Sequence, residues 1–149
     1  MAMYFVQHGL ALAKEVDSDR PLSVEGRTQI ERISAHLKHK GVSVYKICHS
    51  GKTRAKETAQ LFADQIGDSR VVELYGMEPN DNVMEFAKTL TEEDVMYVGH
   101  LPHMGKLVSY LITGDENRDI VQFRNGGVVC VQKENAGFHI EWYLTPSMC

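Results

Sequence analysis

A chain of 149 residues, 43% hydrophobic and 24% charged, has the composition of one globular domain spanning residues 1–149. Its net charge of -4 and its lack of a dense Lys/Arg run exclude a nucleic-acid or anionic-membrane surface built on bulk positive charge. No apolar stretch is long enough to span a bilayer and the first residues lack a signal-peptide pattern, so a cytoplasmic location is expected. Cys48, Cys130 and Cys149 are widely spaced with no C-x-x-C, which indicates reduced thiols rather than a disulfide framework or a thiolate metal site. A prenylation box would need its cysteine where Pro146 stands.

In chain order, Tyr4-Phe5-Val6-Gln7-His8-Gly9 opens as a strand ending on histidine and glycine. A polar loop through Lys14, Glu15, Asp17, Ser18 and Asp19 leads to Arg20-Pro21-Leu22-Ser23. Ser23 is an expected N-cap, and Val24, Ile30, Ile33, Ala35 and Leu37 mark an amphipathic helix that Gly41 ends. Val42 to Cys48 alternates as a second strand and runs into His49-Ser50-Gly51. Thr53, Ala55, Ala59, Leu61, Phe62 and Ile66 mark the next helix, with Gly67 as its stop, before a short strand at Val71–Leu74. Asn80 or Asp81 is the expected cap of a helix carrying Val83, Met84, Phe86, Ala87 and Leu90. Val95 to Val98 reads as a central strand buried on both faces, ending at Gly99-His100. Met104, Leu107, Val108, Leu111 and Ile112 fall at helical spacing up to Gly114. Val128–Val131 and Phe138–Leu144, joined at Glu134-Asn135-Ala136-Gly137, read as a hairpin at a sheet edge. This alternation predicts a three-layer α/β/α sandwich with a mostly parallel mixed sheet.

The chemistry lies in two strands that each end on a histidine, at His8 and His100. Ligands of open α/β sheets bind beyond the carboxyl ends of the strands, so both rings are expected around one substrate. A neutral imidazole attacks phosphorus, and a protonated one offers charge to phosphoryl oxygens. Arg20 and Arg54 stand in loops that would face the same crevice, and guanidinium groups bind phosphate bidentately. Gly51-Lys52-Thr53 is not a P-loop, because Lys46 stands where that motif needs glycine, and Lys52 reads as a rim or surface lysine. His36 and His39 read as an exposed helix face, His49 as packing under the site and His103 as lining its rim. Met77, Met84, Met96 and Met104 read as core or core-facing.

The ordered set of His8-Gly9, Arg20-Pro21-Leu22-Ser23-Val24-Glu25-Gly26, Ser50-Gly51-Lys52-Thr53-Arg54-Ala55-Lys56-Glu57-Thr58-Ala59 and Gly99-His100-Leu101-Pro102 resembles the histidine phosphatase superfamily. Within it, the short length and the Arg-Pro-Leu block are similar to the SixA group of phosphohistidine phosphatases. The resemblance implies a phosphoglycerate mutase-like fold and no cofactor or metal. It implies that His8 is the phosphoryl-accepting nucleophile and that Arg54 and Arg20 bind the phosphoryl group. His100 would be the second active-site histidine, with Gln7, Gly9 and Ser50 completing the substrate pocket. Glu78 is the candidate general acid. The family's Arg-His-Gly is Gln7-His8-Gly9 here, which removes a charged fork from the pocket.

The expected activity is hydrolysis of phosphohistidine in a protein through a phosphohistidine on His8. Small-molecule phosphomonoesters are the alternative substrates, and a non-catalytic phosphoryl-binding module is the alternative that Gln7 raises. A metal-dependent hydrolase using His8, His100 and His49 is a third. The expected partner is a phosphorylated protein or small phosphorylated substrate, with neither nucleic acid nor membrane.

Overall fold

The computed structural model describes residues 1–149 and contains one six-stranded sheet of order β3-β2-β4-β1-β5-β6. The elements are β1 (Ala2–Gln7), α1 (Val24–His39), β2 (Lys46–His49), α2 (Thr53–Ile66), β3 (Arg70–Glu73), α3 (Val83–Ala87), β4 (Val95–Gly99), α4 (His103–Thr113), β5 (Val128–Glu134) and β6 (Gly137–Leu144), with a short 3₁₀ turn at Pro146–Met148. Strands β3, β2, β4 and β1 run parallel, and the terminal hairpin joins β1 through antiparallel β5. The sheet is thus mixed and mostly parallel, with helices on both faces.

Side chains alternate across the pleat and split the core in two. Met3, Phe5, Val95 and Tyr97 pack with Phe86, Met104 and Leu107 under α3 and α4. Tyr4, Val6, Met96 and Val98 pack on the other face with Ile30, Ile33, Ala59 and Phe62 of α1 and α2. β4, paired on both sides, is buried along its whole length, which explains its uninterrupted apolar run.

Several local expectations need correction. β2 begins at Lys46 rather than Val42, because Tyr45 N–H pairs with Asp94 outside the ladder and Val42 N–H returns to Leu37 at the end of α1. The cap of α3 is Asn82, whose Oδ1 accepts from Met84 and Glu85 N–H, while Asp81 accepts from Glu78 N–H instead. That helix ends at Ala87, and Leu90 reaches the core from the following turn. Val24 occupies the first turn of α1 and is 84% exposed, Ala35 is exposed too, and Met84 faces solvent. Ser23 caps α1 as expected, its hydroxyl accepting from Gly26 N–H at 3.0 Å. No helix is long and apolar enough to cross a membrane.

Candidate active site

β1 and β4 are hydrogen-bonded neighbours in parallel register, Gln7 beside Gly99, so the residues after them emerge together. His8 and His100 meet there with ring centroids 5.2 Å apart. Backbone contacts clamp the first turn: His8 N–H donates to Gly99 O at 3.0 Å, and Asn125 Nδ2 donates to His8 O at 3.2 Å. Gly126 N–H bonds the carbonyls of both Gln7 and His8. Gly9 N–H donates to Thr58 Oγ1 at 2.9 Å, and that hydroxyl donates to Arg54 O at 2.7 Å, tying the β1 turn to α2.

The tautomer of His8 follows from its contacts. Nδ1 lies 2.7 Å from Gly9 O, a carbonyl that only accepts, so Nδ1 carries the hydrogen and Nε2 is left with its lone pair. Arg54 Nε donates to that lone pair at 3.3 Å. Burial lowers the His8 pKa from 6.5 to about 4, with Arg54 and Arg20 adding to the shift against the Gly9 contact. The ring is neutral and held in one orientation, and its unprotonated nitrogen faces a guanidinium.

His100 is 1% exposed, and its Nε2 lies 2.5 Å from Ser50 Oγ while Nδ1 has no partner. A buried N–H without a partner is rarer than an under-satisfied acceptor, which favours hydrogen on Nε2, facing Ser50. Burial lowers its pKa to about 3, helped by His8, Arg54, Lys52 and His103. With no anion in the pocket the ring is thus held neutral, with its Nε2 hydrogen toward Ser50. Burial, and then Arg20, lowers the pKa of Arg54 as well, against Glu78. An arriving oxyanion would relieve this concentration of positive charge.

Two helices aim their amino ends at the crevice without the usual neutralisation. α2 starts at Lys52 and α4 at Pro102 with no side-chain cap and no acid in the first turn, whereas α1 and α3 have both. Free N–H groups and the positive dipole end favour an anion there. Arg20 has a left-handed backbone (φ 48°), and its Nε donates to Leu12 O at 3.0 Å, which holds the guanidinium on the site side of its loop. Glu78 is engaged by Lys52 Nζ at 3.1 Å.

Of the residues expected at the site, His8, Arg54, His100 and Ser50 form one contact set, with Arg20 close enough to act on both His8 and Arg54. Gln7 brings its strand to the site, but its Oε1 is buried without a partner. His103 does not line the rim: it is 0% exposed, edge-on to Phe86 at 5.6 Å. His49 accepts Gly51 N–H at Nδ1, and no group of three His, Cys, Asp or Glu side chains is arranged to hold a metal ion, which removes His8, His100 and His49 as a ligand set. Sequence reasoning missed Thr58, Asn125 and Gly126. Only the Arg124-Asn125-Gly126-Gly127 turn signal before β5 pointed to the last two.

Comparison with known proteins places this arrangement. Among solved structures, the protein histidine phosphatase SixA complexed with tungstate matches with a TM-score of 0.86 and 25% identity, over 99% of each chain. An alpha-ribazole phosphatase from Shigella flexneri matches with a TM-score of 0.77 over 95% of each chain, and its 15% identity speaks to the fold alone. An uncharacterized protein of Picosynechococcus sp. is 25% identical over 139 residues, 87% of this chain and 83% of that one. The model of the histidine phosphatase superfamily, branch 1, matches residues 3–78, a span that carries the first strand, the Arg20 block and the turn from β2 into α2; the chain belongs to that superfamily.

Proposed function

We propose that this chain, acting as one domain, is a metal-independent phosphatase that removes phosphoryl groups from phosphohistidine in a protein. His8 Nε2 attacks phosphorus, the bond from phosphorus to the substrate nitrogen breaks so that the substrate ring, protonated on its other nitrogen, leaves as neutral imidazole, and a water then attacks the phosphohistidine to release inorganic phosphate and restore His8. Arg54 and Arg20 bind the equatorial oxygens, His100 donates from Nε2, and the uncapped start of α2 adds N–H groups. The observation that carries the reading is the locked His8 tautomer, with its free nitrogen against Arg54 and beside His100.

Two features favour a phosphoramidate in a protein over a small ester. The candidate acid Glu78 is engaged by Lys52 rather than offered to a leaving group, and a phosphohistidine nitrogen needs less help in leaving than an alkoxide. Open grooves also adjoin His100, one of about 650 Å³ lined by its partner Ser50 with Tyr75 and Glu78, the other of about 460 Å³ lined by Leu101, Pro102 and Arg124. Open ground on both sides of His100 suits a protein surface.

The test is rapid quenching with a labelled phosphohistidine-carrying protein and, separately, a generic phosphomonoester. An acid-labile, alkali-stable phosphoenzyme that vanishes in His8→Asn supports the covalent route. Binding of phosphate without any phosphoenzyme would make the chain a phosphoryl-binding module, and preference for the ester would make it a small-molecule phosphatase.

A further inference from the structure

Gln7 leaves this pocket one guanidinium short of the Arg-His-Gly pattern, and its buried, unpartnered Oε1 does nothing to replace the charge. Another cation stands at the same site, next to Ser50. Lys52 N–H donates at 3.4 Å to Ser50 Oγ, the oxygen that also contacts His100 Nε2. The Lys52 side chain is 36% exposed, and its Nζ lies 3.1 Å from Glu78 Oε2. Glu78 and Ser50 line the same open groove, so the half-exposed ion pair stands at the solvent edge of the cluster that Ser50 shares with His100.

The two possible partners of Lys52 differ in strength. An ion pair this exposed is worth at most about a fivefold preference. A charge-assisted contact to a phosphoryl oxygen in a desolvated pocket is worth about ten- to a hundredfold. The four-carbon stem of lysine lets Nζ move from one to the other without shifting α2.

We infer that Lys52 is the third phosphoryl-binding cation of this site, supplying the charge that Gln7 lacks, and that Glu78 holds it at the rim until a phosphoryl group takes it over. This rests on the phosphatase reading above and gives Glu78 the role of holding a cation instead of donating a proton.

The experiment is tungstate binding by calorimetry on the full chain, with melting curves as a check on folding. Lys52→Met is expected to weaken tungstate about ten- to a hundredfold and to raise KM more than it lowers kcat, whereas Lys52→Arg keeps affinity within about threefold. Glu78→Gln is expected to tighten binding about two- to fivefold by releasing Lys52. Adding Gln7→Arg to Lys52→Met is expected to recover most of the loss. Unchanged affinity in Lys52→Met, or a Lys52→Arg as weak as Lys52→Met, overturns the assignment. Weaker binding in Glu78→Gln overturns the holding role, and failure of Gln7→Arg to rescue a folded double variant overturns the substitution of one charge for the other. Tungstate affinity is read without turnover, so a missing phosphoenzyme would count against the hydrolase reading and leave these outcomes able to decide the role of Lys52.

Discussion

His8 has one nitrogen committed to Gly9 O and one free, so its chemistry is concentrated on Nε2. Removing the ring should cost little stability, because it lies past the end of β1 and outside both apolar clusters. His8→Ala is expected to lower turnover by roughly a thousandfold or more while the protein stays folded. Substantial steady-state hydrolysis by the folded variant would end the covalent mechanism. Arg54→Ala removes the guanidinium that faces Nε2, and tungstate affinity should fall about ten- to a hundredfold together with kcat/KM. Equal affinity in variant and parent would place Arg54 outside the pocket. Residue types at strand ends and in turns were legible at this scale. The neutrality of His100 was not, since it depends on burial by groups that come from other elements.

The position of α1 is set by contacts that the motif residues make with one another. Leu22 N–H donates to Glu57 Oε1 at 2.7 Å and Arg27 Nη2 to Glu57 Oε2 at 3.1 Å, so one carboxylate of α2 ties down the start of α1. Gly26 lets that first turn lie directly on the loop after β1: a Cβ there would stand 2.0 Å from Leu10 O. Alanine would gain about 1 kcal/mol of helix propensity, yet the overlap is with backbone and can be relieved only by moving the helix or the loop. Gly26→Ala is thus expected to destabilise the protein by about 3 kcal/mol, a fall in Tm of roughly 6–12 °C at this chain length. A melting temperature unchanged in the variant would show that α1 does not rest on Leu10. The Arg20 to Gly26 block, which resembles the family at the level of sequence, is in large part a docking device for α1 that holds Arg20 near the site.

For the whole molecule, the buried histidines make stability depend on pH. His8 titrates at about 4 and His100 at about 3 in the folded chain, against 6.5 for the exposed side chain. Between those values the unfolded chain binds more protons than the folded one, so stability falls as pH is lowered from about 6.5 towards 4. The loss is expected to be on the order of a few kcal/mol, and burial of His49 and His103 adds to it in the same direction. Urea midpoints measured from pH 7 to pH 4 should decline, and the decline should be shallower in His100→Asn. A flat profile would mean that these rings titrate alike in the folded and the unfolded chain. Saturating tungstate should raise the midpoint by mass action wherever it binds.

The alternation of strand and helix, the caps at Ser23 and Gly67, the apolar run of β4 and the hairpin turn are written in local periodicity, because backbone hydrogen bonding and side-chain direction repeat over a few residues. Histidine at the ends of both β1 and β4 was legible for the same reason, as was the sheet edge they share, since parallel strands end on one side of the sheet. Contacts between elements were not. Strand order, the clamp of Asn125 and Gly126 on His8, the orphaned Gln7 Oε1 and the pairing of Lys52 with Glu78 join residues tens to more than a hundred positions apart. These contacts depend on how the layers close over the sheet. Burial, which neutralises His100 and hides His103, exists only once those layers are packed.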